Sequence, residues 1–107
     1  LRLPAIILES TVTVARFEGA NARGETFATP APVRMHVEEK ASLRIDRRAA
    51  SETAGTEITT SVFMLAQLDR TLTPGTRIVT ERGEVSIVDV SHLSHPSAPS
   101  HSELWCA

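Results

Sequence analysis

Cysteine, tyrosine, long apolar runs and an excess of either charge are what this 107-residue chain has least of. With one cysteine, Cys106, no disulfide can form within the chain. That excludes the stapled scaffold of small secreted domains, and a reducing compartment suits it. Tyrosine is absent and aromatics amount to 4 %. The core must therefore come from Val, Ile, Leu, Ala and Met, with Phe17, Phe27, Phe63 and Trp105 expected as its few large pieces. No apolar run approaches the ~20 residues of a membrane-spanning helix, and the opening LRLPAIIL is too short and too weakly flanked for a signal peptide. Leu1 stands where Met would be expected, so one or more residues are expected before it. Eleven basic and thirteen acidic residues leave a formal charge of −2, which argues against adhesion to nucleic acid or anionic membrane as the chain's main business.

What is present is alternation. The length fits a single domain, 1–107, able to bury roughly two-thirds of the surface of its unfolded chain. In ESTVTVARF, 9–17, Val12 and Val14 alternate with Thr11 and Thr13 and continue the even phase of Ile6 and Leu8, the period of a half-buried strand. EGANARG, 18–24, reads as a turn-rich break. PVRMHVEEK, 32–40, alternates again, with Val33, Met35 and Val37 on one face; Pro30 and Pro32 stand before it, where a missing N–H does least harm.

The stretch 41–65 is less ordinary. Leu43 and Ile45 carry one alternation, and Ile58, Val62 and Met64 carry another with Thr60 in phase. Arms at 42–48 and 56–62 would each reach roughly 23 Å, a finger standing clear of a small barrel, with the polar RRAASETAG between them. A helix over 61–70, with Val62, Leu65 and Leu68 at helical spacing, is the rival reading; a strand through about residue 66 is preferred. Pro74-Gly75 suits a type II turn and Arg82-Gly83 a second tight turn. Inward residues change from odd to even between Ile87 and Val88, which implies a bulge or burial on both faces. SHPSAPS breaks the pattern, and HSELWCA adds a last strand within a C-terminal edge segment, 96–107. Five to seven short strands without a long helix predict an all-β fold, a small antiparallel barrel of SH3-like or sandwich-like type with a long protruding hairpin at about 41–62.

Chemistry is harder to find. His92, His95 and His101, with Asp89, could reach one zinc ion only if the backbone curls; scattered histidines in a proline-rich turn are the plainer reading, and neither metal nor cofactor is expected. No nucleophile elbow surrounds any serine, Cys106 reads as a small buried hydrophobe, and GANARG lacks the lysine and helix of a phosphate loop. We expect no enzyme. Lys40, Arg44, Arg47 and Arg48 are interleaved with Glu38, Glu39, Asp46, Glu52 and Glu57, which does not make a gripping surface for nucleic acid; an ordinary solvated loop is the plain alternative.

The order of these features resembles the head-to-tail stopper, or head-completion, proteins of long-tailed bacteriophages, particularly those infecting actinobacteria. The pieces that carry the resemblance are an early strand preceded by LP, then VRMHVEEKASLRIDRRA, TEITTSVFM, LTPGTRIVT followed by GEVSIVDV, and PSAPSHSELWCA. Each is weak alone; their order spans nearly the whole chain. RRAASETAG departs from the more compact Asp-Gly turn expected there. The resemblance implies a virion protein of the phage neck, assembled in the host cytoplasm. It would form a ring of twelve or six copies between portal or adaptor and tail terminator, touching packaged double-stranded DNA in passing and no membrane. A loop from each copy would close the channel: Arg47, Arg48, Ala49, Ala50, Ser51, Glu52, Thr53, Ala54 and Gly55 as gate, and Leu43, Ile45, Ile58 and Thr60 on the finger arms. Fingers free in solution would be loose. Phe27, Phe63 and Trp105, near exposed strand edges, are the expected subunit contacts. The competing expectation is a stand-alone small-barrel module for nucleic acid or peptide.

Overall fold

A computed structural model describes residues 2–107. A 3-10 turn, Ala5–Ile7, precedes eight strands: β1 (Ser10–Ala15), β2 (Phe17–Asn21), β3 (Gly24–Phe27), β4 (Ala31–Ile45), β5 (Glu57–Gln67), β6 (Arg77–Thr80), β7 (Gly83–Leu93) and β8 (His101–Cys106). Six of them close an antiparallel barrel in the order β1-β4-β5-β8-β7-β6, with β6 returning to β1; β2 and β3 form a separate two-stranded sheet. The fold is all-β and the barrel is closed, in agreement with the alternation in the sequence.

Side chains of alternate residues fill the barrel. Val12 and Val14 of β1, Met35 of β4, Met64 and Ala66 of β5, Ile78 of β6, Ile87 of β7, and Leu104 and Cys106 of β8 meet Leu72 in one cluster. Fully burying a Leu, Ile or Met side chain is worth roughly 1.5–3 kcal/mol, so these few residues supply most of the cohesion. The four aromatics expected in the core lie outside it. None is fully buried; they pair on the outer surface, Phe17 with Phe27 and Phe63 with Trp105. Branched and unbranched aliphatics fill so narrow an interior better than rings do.

Several local expectations are corrected. The strand phase does not reach back to Ile6, which is 85 % exposed in the 3-10 turn, although Leu8 is buried. Residues 18–24 belong to the β2–β3 hairpin, closed at Ala22-Arg23 with the Asn21 side chain accepting from the Arg23 N–H at 2.8 Å. Its outward-facing residues offer no alternation to read. The strand preferred through about residue 66 is present as β5, and the rival helix over 61–70 does not form. The β6–β7 turn residues are Glu81 and Arg82, with Gly83 already paired opposite Thr80. Most important, 101–106 is no edge strand. β8 lies between β5 and β7, because Leu104 and Cys106 are needed inside and closure leaves the barrel without an edge there.

Two features near the closure lead to measurable expectations. Gly75 follows Pro74 with φ +99°, and the Thr76 N–H donates to the Thr73 carbonyl at 3.1 Å, as a type II turn requires. A Cβ there would stand 3.1 Å from Cγ of Phe17. Gly75→Ala therefore combines backbone strain with a crowded ring and is expected to cost about 2 kcal/mol, read as a lower denaturation midpoint. The Cys106 thiol is fully buried, and burial pushes its pKa up to about 12. Thiolate is the reactive form, so maleimide labelling at neutral pH is expected to proceed only at the rate of unfolding.

Candidate functional site

The β4–β5 hairpin outgrows the barrel wall. β4 pairs with β1 only as far as Met35, and β5 with β8 only from Val62 onward, so both arms continue without an outer neighbour. Along its free side β4 carries Glu38, Glu39 and Lys40 and then a bulge between Glu39 and Ser42; charge and irregularity are devices that blunt an open edge. Beyond the bulge the register resumes as Ser42↔Thr60, Leu43↔Thr59, Arg44↔Ile58 and Ile45↔Glu57. The arms are thus shorter than 42–48 and 56–62, because Asp46 leaves the ladder.

Asp46 organises the end of the hairpin. Its carboxylate is buried, with one oxygen accepting from the N–H and Nε of Arg48 at 3.0 and 2.9 Å. The other accepts from a terminal guanidinium nitrogen of Arg48 at 2.9 Å, from Oγ of Ser51 at 2.6 Å, and from Oγ1 of Thr53. The main chain closes the same ring: Asp46 N–H donates to the Thr56 carbonyl and Gly55 N–H to the Asp46 carbonyl, both at 2.8 Å. Arg48, helped by Ser51 and Thr53 against the cost of burial, holds the carboxyl well below the usual carboxylate range.

This end is tied to the body rather than loose. The Arg47 N–H donates to the Val88 carbonyl at 2.9 Å, and Arg48 donates to Oγ of Ser86 at 3.2 Å. β7 can accept the first bond because its own bulge, between Ile87 and Asp89, leaves Val88 without a partner in β8. The odd-to-even change read from the sequence is this bulge, and both Ile87 and Val88 are fully buried, though only Ile87 belongs to the core cluster. Near the end of the β4 arm, Arg44 lies 3.6 Å above the Trp105 ring and donates to Asp89 at 3.0 and 2.8 Å. Lys40 stands 4.9 Å above Phe63, whose ring packs on Trp105 with centroids 5.5 Å apart. The hairpin therefore lies across the outer faces of β8 and β7.

The residues singled out from the sequence divide accordingly. In the segment Arg47–Gly55, Arg48 and Ser51 turn inward, while Ala49, Ala50, Glu52, Thr53, Ala54 and Gly55 are exposed and Arg47 keeps 62 % of its side chain in solvent. On the arms, Thr60 is buried and Ile58 half-buried, while Leu43 and Ile45 face outward. Phe63 and Trp105 lie beneath Lys40 and Arg44 on strands inside the closed sheet, not at an edge. Phe27 packs edge-on against Phe17 at 5.9 Å, with Arg77 4.3 Å above it. With cations already on their faces, these rings make poor platforms for stacking bases.

The histidines have separate partners. His92 Nδ1 bonds Oγ of the buried Ser102 at 2.8 Å, His95 engages Ser97, and His101 bonds Glu103 at 3.1 Å. Among the described residues, no three His, Cys, Asp or Glu side chains converge as metal ligands would. Sequence reasoning missed the buried Asp46, and with it the anchoring of the tip. The signal was present as an aspartate followed by Arg48, Ser51 and Thr53, but such spacing has no period to detect. In comparisons with known proteins, no family model and no curated protein matches the chain.

Proposed function

We propose that this chain is a structural subunit of a long-tailed phage neck, one copy in a ring whose hairpins close the DNA channel and withdraw on ejection. The sequence resemblance motivates this reading, and the β4–β5 hairpin is the observation that best supports it. An arm laid on the outer faces of β8 and β7 by hydrogen bonds and cation–ring contacts, with little apolar burial at its end, can be released without dismantling the core. Its tip presents small exposed residues of mixed charge, which suits a surface that meets a polyanion without gripping it. No catalytic step is needed.

The test is retention of packaged DNA in neck-bearing particles. Removing 47–55 alone would strand the Asp46 carboxylate without donors, so the deletion is made together with Asp46→Asn. The barrel is expected to fold and the heads to leak their genome. Heads that keep it fully would remove the gate role.

A further inference from the structure

Aliphatic side chains fill the barrel, yet one end of it is hollow. Where β1 starts, β6 ends and β7 starts, a cavity of ≈ 690 Å³ opens to solvent. Val12, Val37, Val62 and Val85 form its floor, the outermost layer of the apolar filling. The hollow follows from strand length. β1 begins at Ser10, opposite Met35, so β4 runs on past it and leaves a gap in the wall. Glu39 is out of place there: it continues the inward phase of Val33, Met35 and Val37, yet it carries a charge. Its carboxylate reaches across the gap to Arg82 in the β6–β7 turn. The two side chains are 57 % and 77 % exposed, and an exposed ion pair holds weakly.

We infer that this end of the barrel binds a free aliphatic ammonium, its apolar stem on the four valines and its charged end taken by Glu39 in place of Arg82. Barrel mouths are recurrent ligand sites, and the volume lies within the ~300–1,000 Å³ of pockets that enclose small molecules. Charge selects among them. Glu81 and Glu84 line the cavity with Glu39, and among the described residues Arg82 is the one cation that does. Arg77 meets Glu84 at 3.5 Å but does not line the cavity. A carboxylate ligand would have Arg82 alone to hold it and would stand among three like charges.

An ammonium at Glu39 replaces an exposed pair by one beside the apolar floor, where water is partly excluded and a charge-assisted hydrogen bond is stronger. The lysine side chain of a partner protein offers the same chemistry, but its stem is short for the cavity. A longer free amine covers more of the valine floor and gains from each methylene it buries. This site is distinct from the hairpin tip and does not depend on the neck reading.

Titration of the purified chain with octylammonium chloride, followed by amide chemical shifts at constant ionic strength, tests the assignment. Saturating shifts are expected in residues 10–12, 37–39 and 82–85, and none with octanoate. Butylammonium, with the stem of a lysine side chain, is expected to bind about tenfold more weakly. Glu39→Gln is expected to weaken octylammonium about tenfold, and Arg82→Gln, which frees the Glu39 carboxylate, to tighten it. Glu57→Gln makes the same change in net charge on the exposed hairpin and is expected to leave binding as it was. All three positions are exposed, and unchanged thermal transitions verify that the variants fold. The proposal is overturned if octylammonium shows no saturation up to its solubility limit, or if octanoate or butylammonium binds as tightly. Equal losses in Glu39→Gln and Glu57→Gln would overturn it as well, since they would reduce the effect to net charge.

Discussion

Asp46→Ala is expected to cost about 3 kcal/mol and to release the end of the hairpin. The substitution removes the common acceptor for Arg48, Ser51 and Thr53. A hydrogen bond to a charged group contributes roughly 1.5–3 kcal/mol, and breaking a buried ion pair costs roughly 3–5. Arg48 keeps 24 % of its side chain in solvent, so water can recover part of its hydration and the lower end of that range applies. Local opening also limits the loss, since a tip that has let go has nothing further to lose. The signature is therefore uneven: amide exchange at Asp46, Gly55 and Thr56 should rise steeply while exchange in β8 falls behind. Equal acceleration in both regions would mean that the tip is integral to the barrel and unfit to act as a gate.

Acid should act on the same group, with a definite sign. The folded carboxyl titrates below its unfolded value of about 3.9, so its contribution is complete above that pH and disappears as pH falls through the folded value. Protection of the tip amides should persist at pH 4 and fade only in stronger acid. Asp46→Asn should show no such fading.

Leu104→Ala is expected to cost about 3 kcal/mol, within the roughly 2–5 kcal/mol of buried Leu→Ala changes. Leu104 is fully buried, opposite Met64 on one side and Val90 on the other, so no neighbouring edge can slide in to fill the hole. Against the roughly 5–15 kcal/mol of a small domain, that loss is large. Denaturant unfolding reads it as a lower midpoint at unchanged slope; a change of less than 1 kcal/mol would show that β8 is less tightly held than its burial indicates.

Local periodicity carried most of the fold. Val12, Val14, Met35 and Val37 announce their strands because alternate burial leaves a period of two, and Pro74-Gly75 announces its turn because only that pair combines a fixed φ with a positive one. The bulge in β7 was legible for the same reason, as a break in phase at Ile87-Val88. Strand order was not, because the place of β8 depends on β5 and β7, far from it in sequence. The β2–β3 hairpin stayed hidden since neither of its faces is buried. The aromatics misled: a ring stacked beneath Arg44 or Arg77 is sheltered without entering the core, and composition does not distinguish the two. At the candidate site the arms were visible and the anchoring was not, because Asp46 reads as one more surface charge until its three donors are brought around it.

The position of β8 also governs when the domain can exist. Residues 101–106 are the last of the eight strands to leave the ribosome, yet they fit between two made earlier. Until they arrive, β5 and β7 each present a bare row of peptide groups, so a nascent or truncated product is adhesive in a way the finished one is not.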